Sequence, residues 1–234
     1  MNQNKDYSLN EDEKSSIQAL FNTGEFLNEK INFLTAKCKN ENVSREINIL
    51  NQILNDVIIN NCSLNKDMLD SRGNKITEWS NGEKRGGYNY SPPVGWIGFG
   101  LNVINKYDNG NNDWLSKDGN KNEWAVAYHG LRNGNAIKSI ILEGFKPGPC
   151  QCHQHYNDIN HPGEKVGIGS YFVPIPELME YYSEKKLING KAFKFGLMAR
   201  VRPNKIRIPE RQKDYWVLNK EEIRPYRILV KECE

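Results

Sequence analysis

Five residues in one short segment have the side chains that most often bind metal ions. They follow a breaker cluster rich in proline and glycine, and they are Cys150, Cys152, His153, His155 and His161. Thiolate and imidazole ligands together favour zinc. The close Cys-x-Cys and His-x-His pairs do not have the spacing of a standard zinc finger. The segment is therefore either a zinc site or a polar surface loop that carries soft ligands.

The remaining histidine, His129, lies near the end of a short apolar run. Residues 124–130 read Trp-Ala-Val-Ala-Tyr-His-Gly, and an apolar run of this length between turn residues indicates a buried strand. A histidine at the end of such a strand lies where a sheet opens into a crevice. Gly130, directly after it, lets a ligand approach the backbone closely. The alternative is an ordinary histidine of the core.

Two tyrosines and an aspartate are further candidates for chemistry. Tyr171 lies in an apolar, aromatic segment flanked by glycines. Tyr182 lies near the end of a helix that we predict to start at Pro176, because proline is favoured in the first helical turn. Asp214 opens a third aromatic segment, residues 214–218.

The elements that must position these residues follow from the hydrophobic periodicity. The strand at 124–130 leads into a helix, which Gly144 ends. The apolar face of this helix consists of Ala136, Ile137, Ile140 and Ile141. Alternating residues predict further strands at 191–201 and 223–230.

The order of these features resembles the ADP-ribosyltransferases of the poly(ADP-ribose) polymerase type, which carry a His-Tyr-Glu signature. The likeness covers roughly residues 120–230, and its two motifs are Tyr128-His129-Gly130 and Gly169-Ser170-Tyr171-Phe172. Tyr182 follows Tyr171 by eleven residues, as do the two nicotinamide-flanking tyrosines of the family. The resemblance implies an α+β fold with a split, antiparallel-rich sheet and flanking helices.

The resemblance also implies a role for each site residue. His129 would hydrogen-bond a ribose hydroxyl of the substrate NAD, and the Gly130 backbone would pair with the nicotinamide amide. Tyr171 and Tyr182 would line the nicotinamide pocket, and His129, Tyr171 and Asp214 would form the catalytic set. Breaking the glycosidic bond leaves a cationic ribose, so an aromatic slot and fixed negative charge suit this chemistry.

The chain departs from the family at two positions. Asp214 stands where the family has its catalytic glutamate, and Glu221 or Glu222 is an alternative carboxylate. Met179 stands where the family has a serine that contacts nicotinamide. The shorter aspartate favours transfer of a single ADP-ribose unit, to an unknown acceptor such as a protein. The alternatives are a catalytically inactive binding module of this fold and an NAD glycohydrolase.

The first part of the chain is predicted to be a helical region, residues 1–85, before an ADP-ribosyltransferase-like domain, residues 86–234. Apolar residues recur at threes and fours over 17–34 and 43–58, which predicts two antiparallel helices. The pair is either a structural cap or a means of self-association. Residues 63–87 are polar and rich in glycine, which predicts a linker that ends near Gly86.

Composition limits the classes of function. The chain has 234 residues and a formal net charge of +3, with basic and acidic residues interleaved, so a nucleic-acid footprint is not expected. No apolar run is long enough for a membrane span or resembles a signal peptide, which predicts a cytoplasmic protein without a membrane partner. Five cysteines, an odd number, argue for reduced thiols.

Overall fold

Strands form most of the regular structure in the described part of the chain. In this computed structural model the described residues are 48, 51–75, 79, 84–132 and 134–233. In chain order, the strands are β1 Lys84–Arg85, β2 Tyr88–Asn89, β3 Ile97–Gly100, β4 Ala125–Leu131, β5 Ser170–Phe172, β6 Lys186–Ile188, β7 Lys191–Val201, β8 Trp216–Leu218 and β9 Ile223–Cys233.

These strands divide into a main sheet and two small ones. The main sheet has the order β3-β9-β7-β4, with β6 paired to β7, and all of its neighbours are antiparallel. β5 pairs with β8, and β1 with β2, in separate antiparallel pairs. A backbone bridge between Tyr128 and Val173 joins the β5–β8 pair to the edge of β4. The mixture of antiparallel sheets and helices confirms the α+β class.

Two α-helices among the described residues flank the sheets. α1, Asn135–Glu143, buries Ile137, and Gly144 follows it with a φ of +82°, a conformation that favours glycine. α2, Pro176–Tyr181, carries its proline in the first turn. α1 lies where the apolar periodicity predicts it and α2 where the first-turn proline predicts it, and the predicted strands correspond to β4, β7 and β9.

The main sheet is buried on both faces because its strands alternate between two apolar clusters. On β4, Ala127 and Leu131 face the larger cluster, which also contains Phe172 and Ile137. The smaller cluster, on the opposite face, contains Tyr90, Trp96, Val126, Tyr128, Val173, Met179, Met198 and Leu229. The two faces of β4 therefore contact different parts of the protein.

Part of the predicted N-terminal region belongs to the larger cluster. The first predicted helix and the first part of the second lie outside the described residues. The end of the second stripe forms a π-helix, Ile53–Asn61, whose Val57 and Ile58 are buried in this cluster. Residues 66–75 form short 3₁₀ helices and backbone bridges to β3 and to Leu101, next to it. The division at residue 85 stays a prediction.

Gly86 lies in the tight turn between β1 and β2. Its φ is +55°, and a Cβ atom there would lie 2.4 Å from the backbone nitrogen of Ala125. The hairpin therefore packs directly on the start of β4, and this close approach requires glycine.

None of the helices among the described residues has the length and apolar character needed to cross a membrane.

Candidate functional site

His129 is held in one orientation at the edge of the main sheet. Its Nδ1 lies 2.8 Å from the backbone oxygen of Tyr171, and its ring packs against Phe145 and Phe172, with centroids 5.1 and 5.3 Å away. Because a carbonyl only accepts, Nδ1 carries the proton, and Nε2 of the neutral ring is an acceptor. Burial lowers the pKa of His129, and the bond to Tyr171 opposes this shift. The neutral ring is therefore the favoured form.

Gly130 presents backbone groups at the same edge. Tyr128 exchanges two backbone hydrogen bonds of 2.9 Å with Val173. Backbone groups of alternate residues in a strand point to the same edge, so the N–H and C=O of Gly130 also point away from β7. No described residue forms a hydrogen bond with them. Gly130 therefore offers one donor and one acceptor side by side, beside the end of α2.

Gly130 has no room for a side chain, because the end of α2 packs on its Cα. A Cβ atom would lie 2.4 Å from the backbone oxygen of Met179 and 2.9 Å from the Cβ of Tyr182. Gly196, its partner on β7, is covered in the same way by the Met179 sulfur. The glycine thus brings Tyr182 against β4 and leaves the strand edge open.

Four rings form an aromatic crevice next to this edge: Tyr171, Tyr182, Tyr215 and His153. The Tyr215 centroid lies 6.3 Å from that of Tyr171, 6.2 Å from that of Tyr182 and 5.2 Å from that of His153. The hydroxyls of Tyr182 and Tyr215 form a hydrogen bond. The backbone N–H of His153 donates to the Tyr171 hydroxyl over 3.2 Å. Tyr215 is therefore the central ring of the crevice.

Tyr171 and Tyr182 are neutral at pH 7. The hydrogen bond with Tyr215, followed by burial, raises the pKa of Tyr182 to about 12. Burial raises the pKa of Tyr171. His153 contributes a neutral ring, because burial lowers its pKa. Its Nδ1 is buried and has no hydrogen-bond partner among the described residues.

The predicted catalytic aspartate does not contact this crevice. Asp214 is exposed, and its carboxylate forms no hydrogen bond or ion pair with a described residue. Glu222 is engaged elsewhere, because its Oε2 accepts a 2.7 Å hydrogen bond from the backbone N–H of Asn219. Met179 is fully buried under the sheet. Near this edge of β4 the structure places His129 against the Tyr171 backbone and Gly130 against Tyr182, without a carboxylate among the described residues.

Sequence reasoning missed Tyr215 and the contribution of His153 to the crevice. The resemblance selects the carboxylate of the aromatic segment 214–218, not the tyrosine next to it. Asp214 lies in a turn before β8, and the Tyr215 N–H donates to the Gln212 oxygen over 3.2 Å. The alternation of a strand therefore does not show which of the two side chains points inward. The sequence predicts His153 as a metal ligand. No pattern in the sequence distinguishes a stacking histidine from a ligand.

The predicted zinc ligands do not converge. Cys150, Cys152 and His155 are exposed, and His153 stacks in the crevice. His161 is engaged by Asp158, with Nδ1 and Oδ2 2.5 Å apart. Within the described ranges, no group of three or more potential ligands is placed to hold a metal ion. Zinc binding stays a prediction, which metal analysis of the purified protein would test.

Comparison with known proteins adds no assignment. No protein-family model matches the chain, and no curated protein matches it.

Proposed function

We propose that this protein is an NAD-dependent mono-ADP-ribosyltransferase, which cleaves the nicotinamide–ribose bond and transfers ADP-ribose to a protein or another acceptor. The observation that carries the proposal is the open edge at Gly130. Its free N–H and C=O complement the acceptor and donor of a carboxamide such as that of nicotinamide. Tyr182 lies directly beside them, and His129 precedes them on the same strand.

Each residue has a part that its chemistry suits. The Gly130 backbone binds the amide of nicotinamide, and the Tyr182 ring stacks on the leaving group. His129 accepts a hydrogen bond from a ribose hydroxyl through Nε2, while its bond to the Tyr171 carbonyl keeps the ring in place. These contacts hold the ribose while positive charge develops on it, so they act by positioning.

The carboxylate that stabilises this charge is assigned to Asp214, which lies next to Tyr215. In the described conformation Tyr215 occupies the crevice and Asp214 faces solvent. Substrate binding therefore requires the Tyr215 ring to leave and the segment before β8 to turn its carboxylate inward. This rearrangement costs free energy. NAD can stabilise the open conformation only if it binds that conformation more tightly than the described one.

The exposed position of Asp214 favours a second candidate function. A domain that retains the Gly130 edge and the aromatic crevice, but has no carboxylate in contact with the ribose, would bind NAD or a similar ligand without cleaving it. NAD hydrolysis is a variant of the first proposal, in which water replaces the acceptor.

Release of nicotinamide from NAD by the purified full chain tests the proposal. We expect His129→Ala and Asp214→Asn each to slow release by about 10²-fold or more, in the range of lost catalytic groups. His155→Ala and Asp67→Asn are matched controls, because both side chains are exposed and outside the crevice. Equal rates in all five proteins would contradict the catalytic assignment.

The fate of the ADP-ribose separates the alternatives. Labelled NAD that modifies a protein supports transfer, whereas free ADP-ribose as the only product supports glycohydrolase activity. Calorimetric binding of a non-cleavable NAD analogue, without turnover of NAD, supports the binding module. Absence of both binding and turnover contradicts all three.

A further inference from the structure

A large basic cavity lies on the sheet face that carries the smaller apolar cluster. Its volume is about 750 Å³, and Val126, Met198 and Tyr226 form part of its wall. Six cationic side chains line it: Arg72, Lys75, Arg85, Lys117, Arg200 and Arg227. This volume falls within the range of small-molecule sites.

Aromatic rings and backbone carbonyls hold the guanidinium groups in place. Arg227 donates from Nε to the Gly73 oxygen over 2.8 Å and lies 5.3 Å from the ring centroids of both Trp79 and Tyr226. Arg85 lies 5.3 Å from the ring of Tyr90. The cations are therefore positioned before any ligand binds, which lowers the cost of ordering them on binding.

Arg200 is fixed at the back of the cavity. It is 2% exposed, and its Nη2 donates to the backbone oxygens of Leu115 and Ser116 over 3.0 and 2.9 Å. A buried guanidinium in this position keeps its charge, so its field is part of the fixed environment of the cavity.

Carboxylates among the described residues accompany three of these cations. Glu123 lies behind the cavity, 3.9 Å from Arg85 and 3.4 Å from Arg200. Asp70 is held by Arg72, with an Nη2–Oδ2 distance of 2.8 Å. Arg227 and Lys117 also line the cavity and form no ion pair with a described carboxylate. Such a concentration of one sign in a cleft attracts anions.

Lys117 has no anionic partner among the described residues, with which it forms no ion pair or hydrogen bond. Its pKa is lowered, first by partial burial and then by the nearby charges of Arg227, Lys75, Arg200 and Arg85. Repulsion of this kind is relieved by a bound anion.

From this geometry we infer a second ligand site, which binds a phosphorylated small molecule with two or more adjacent phosphates, such as a nucleoside diphosphate. Phosphate oxygens match the guanidinium and ammonium groups that line the cavity, Arg227 and Lys117 among them. A cavity of this volume fits a small molecule better than a nucleic-acid strand, which tracks along an extended groove.

The inferred site is separate from the aromatic crevice. Val126 lines the cavity and Gly130 the crevice, four residues apart on β4, which corresponds to roughly 13 Å along a strand. Between them, Tyr128 is fully buried and donates from its hydroxyl to the Ser91 backbone oxygen. A ligand in the cavity would therefore not contact the proposed catalytic residues.

Titration calorimetry of the full chain with inorganic pyrophosphate and with ADP tests the inference. We expect saturable binding of both, no binding of adenosine, and about tenfold weaker binding of both anions by Lys117→Gln. The matched control is Lys121→Gln, in the same exposed loop but outside the cavity lining, which should bind within twofold of the unmodified chain. No saturable binding, or equal weakening by both variants, overturns the inference.

Two further variants test the inference independently. Arg227→Lys keeps the positive charge but loses the planar set of N–H donors of the guanidinium group. We expect this variant to bind ADP more weakly and to keep its fold, as measured by circular dichroism. His129→Ala should bind pyrophosphate as the unmodified chain does, so loss of the proposed catalytic activity leaves this result intact. Binding of a single-stranded RNA oligonucleotide through Lys117, without pyrophosphate binding, contradicts the small-molecule assignment.

Discussion

The hydroxyl of Tyr215 forms a hydrogen bond with the hydroxyl of Tyr182, and this contact holds the Tyr215 ring between Tyr182 and Tyr171. The space in which we propose that nicotinamide binds is therefore filled by a side chain of the protein. The residue before it, Asp214, faces solvent. One local rearrangement would open the crevice and move the carboxylate, so access and chemistry are linked.

Replacing Tyr215 with phenylalanine should strengthen binding of a non-cleavable NAD analogue. The variant removes the hydroxyl pair, which must break before the ring can leave, and a typical hydrogen bond contributes about 0.5–1.5 kcal/mol. We therefore expect up to about tenfold tighter binding by calorimetry. Tyr181→Phe is the control, because Tyr181 is 82% exposed. Unchanged affinity in Tyr215→Phe would show that the ring does not compete with the ligand.

Gly130→Ala should destabilise the protein, because the new methyl group would lie 2.4 Å from the Met179 backbone oxygen. Overpacking of this kind costs about 1–3 kcal/mol, and displacement of α2 should also remove NAD binding. Urea denaturation measures the first effect. Gly148→Ala is the matched control, because a Cβ there meets no atom within 4 Å. Equal stability of the two variants would falsify the close packing of α2 on β4.

The acid limb of nicotinamide release should have its midpoint below pH 6.5. Burial lowers the pKa of His129, so the neutral ring, which accepts through Nε2, persists to lower pH than in a solvated histidine. Because the pKa of His129 is lower in the folded state than in the unfolded state, this residue contributes stability above pH 6.5. The contribution is lost as pH falls through the folded-state pKa. Rate profiles and NMR titration of the His129 ring measure the two effects. A midpoint at or above 6.5 contradicts the assignment.

His161→Gln should destabilise the protein more at pH 5.5 than at pH 9. The Asp158 side chain raises the pKa of His161, so the contribution of the charged pair is complete below pH 6.5 and is lost as pH rises through the raised pKa. Asp158 is buried and also accepts from the backbone N–H of Ile208 over 2.9 Å. We expect a loss of about 1–3 kcal/mol at pH 5.5. A loss that does not depend on pH would show that the pair is not ionic.

Arg224→Lys should destabilise the protein although the charge is kept. Both terminal nitrogens of Arg224 bind the Asp108 carboxylate over 2.7 Å, and the guanidinium lies 3.9 Å from the Trp124 ring centroid. Lysine reproduces neither the paired hydrogen bonds nor the planar stacking, so we expect a loss of about 1–2 kcal/mol in thermal unfolding. The control is Arg132→Lys, at a side chain that is 84% exposed. Equal melting temperatures of the two variants would contradict this role for Arg224.

Local patterns were sufficient to place the elements that carry the site. The apolar run before His129 predicted β4, the spacing of isoleucines predicted α1 with Gly144 at its end, and the proline at 176 predicted the start of α2. These elements depend on the spacing of residues a few positions apart, which is visible in the sequence. The same local information placed His129, Tyr171 and Tyr182 on elements that the structure brings together.

What only the tertiary structure decided is which side chains fill the space between those elements. Asp214 and Tyr215 lie at a turn before β8, where no strand alternation fixes the direction of a side chain. Packing of the tyrosine ring against Tyr171 and Tyr182 placed Tyr215, not Asp214, in the crevice. The basic cavity collects Arg72, Lys117 and Arg227 from distant parts of the chain. Along the sequence these charges are interleaved with acidic residues. The order of residues in the chain does not show which of them the packed sheet brings together in space.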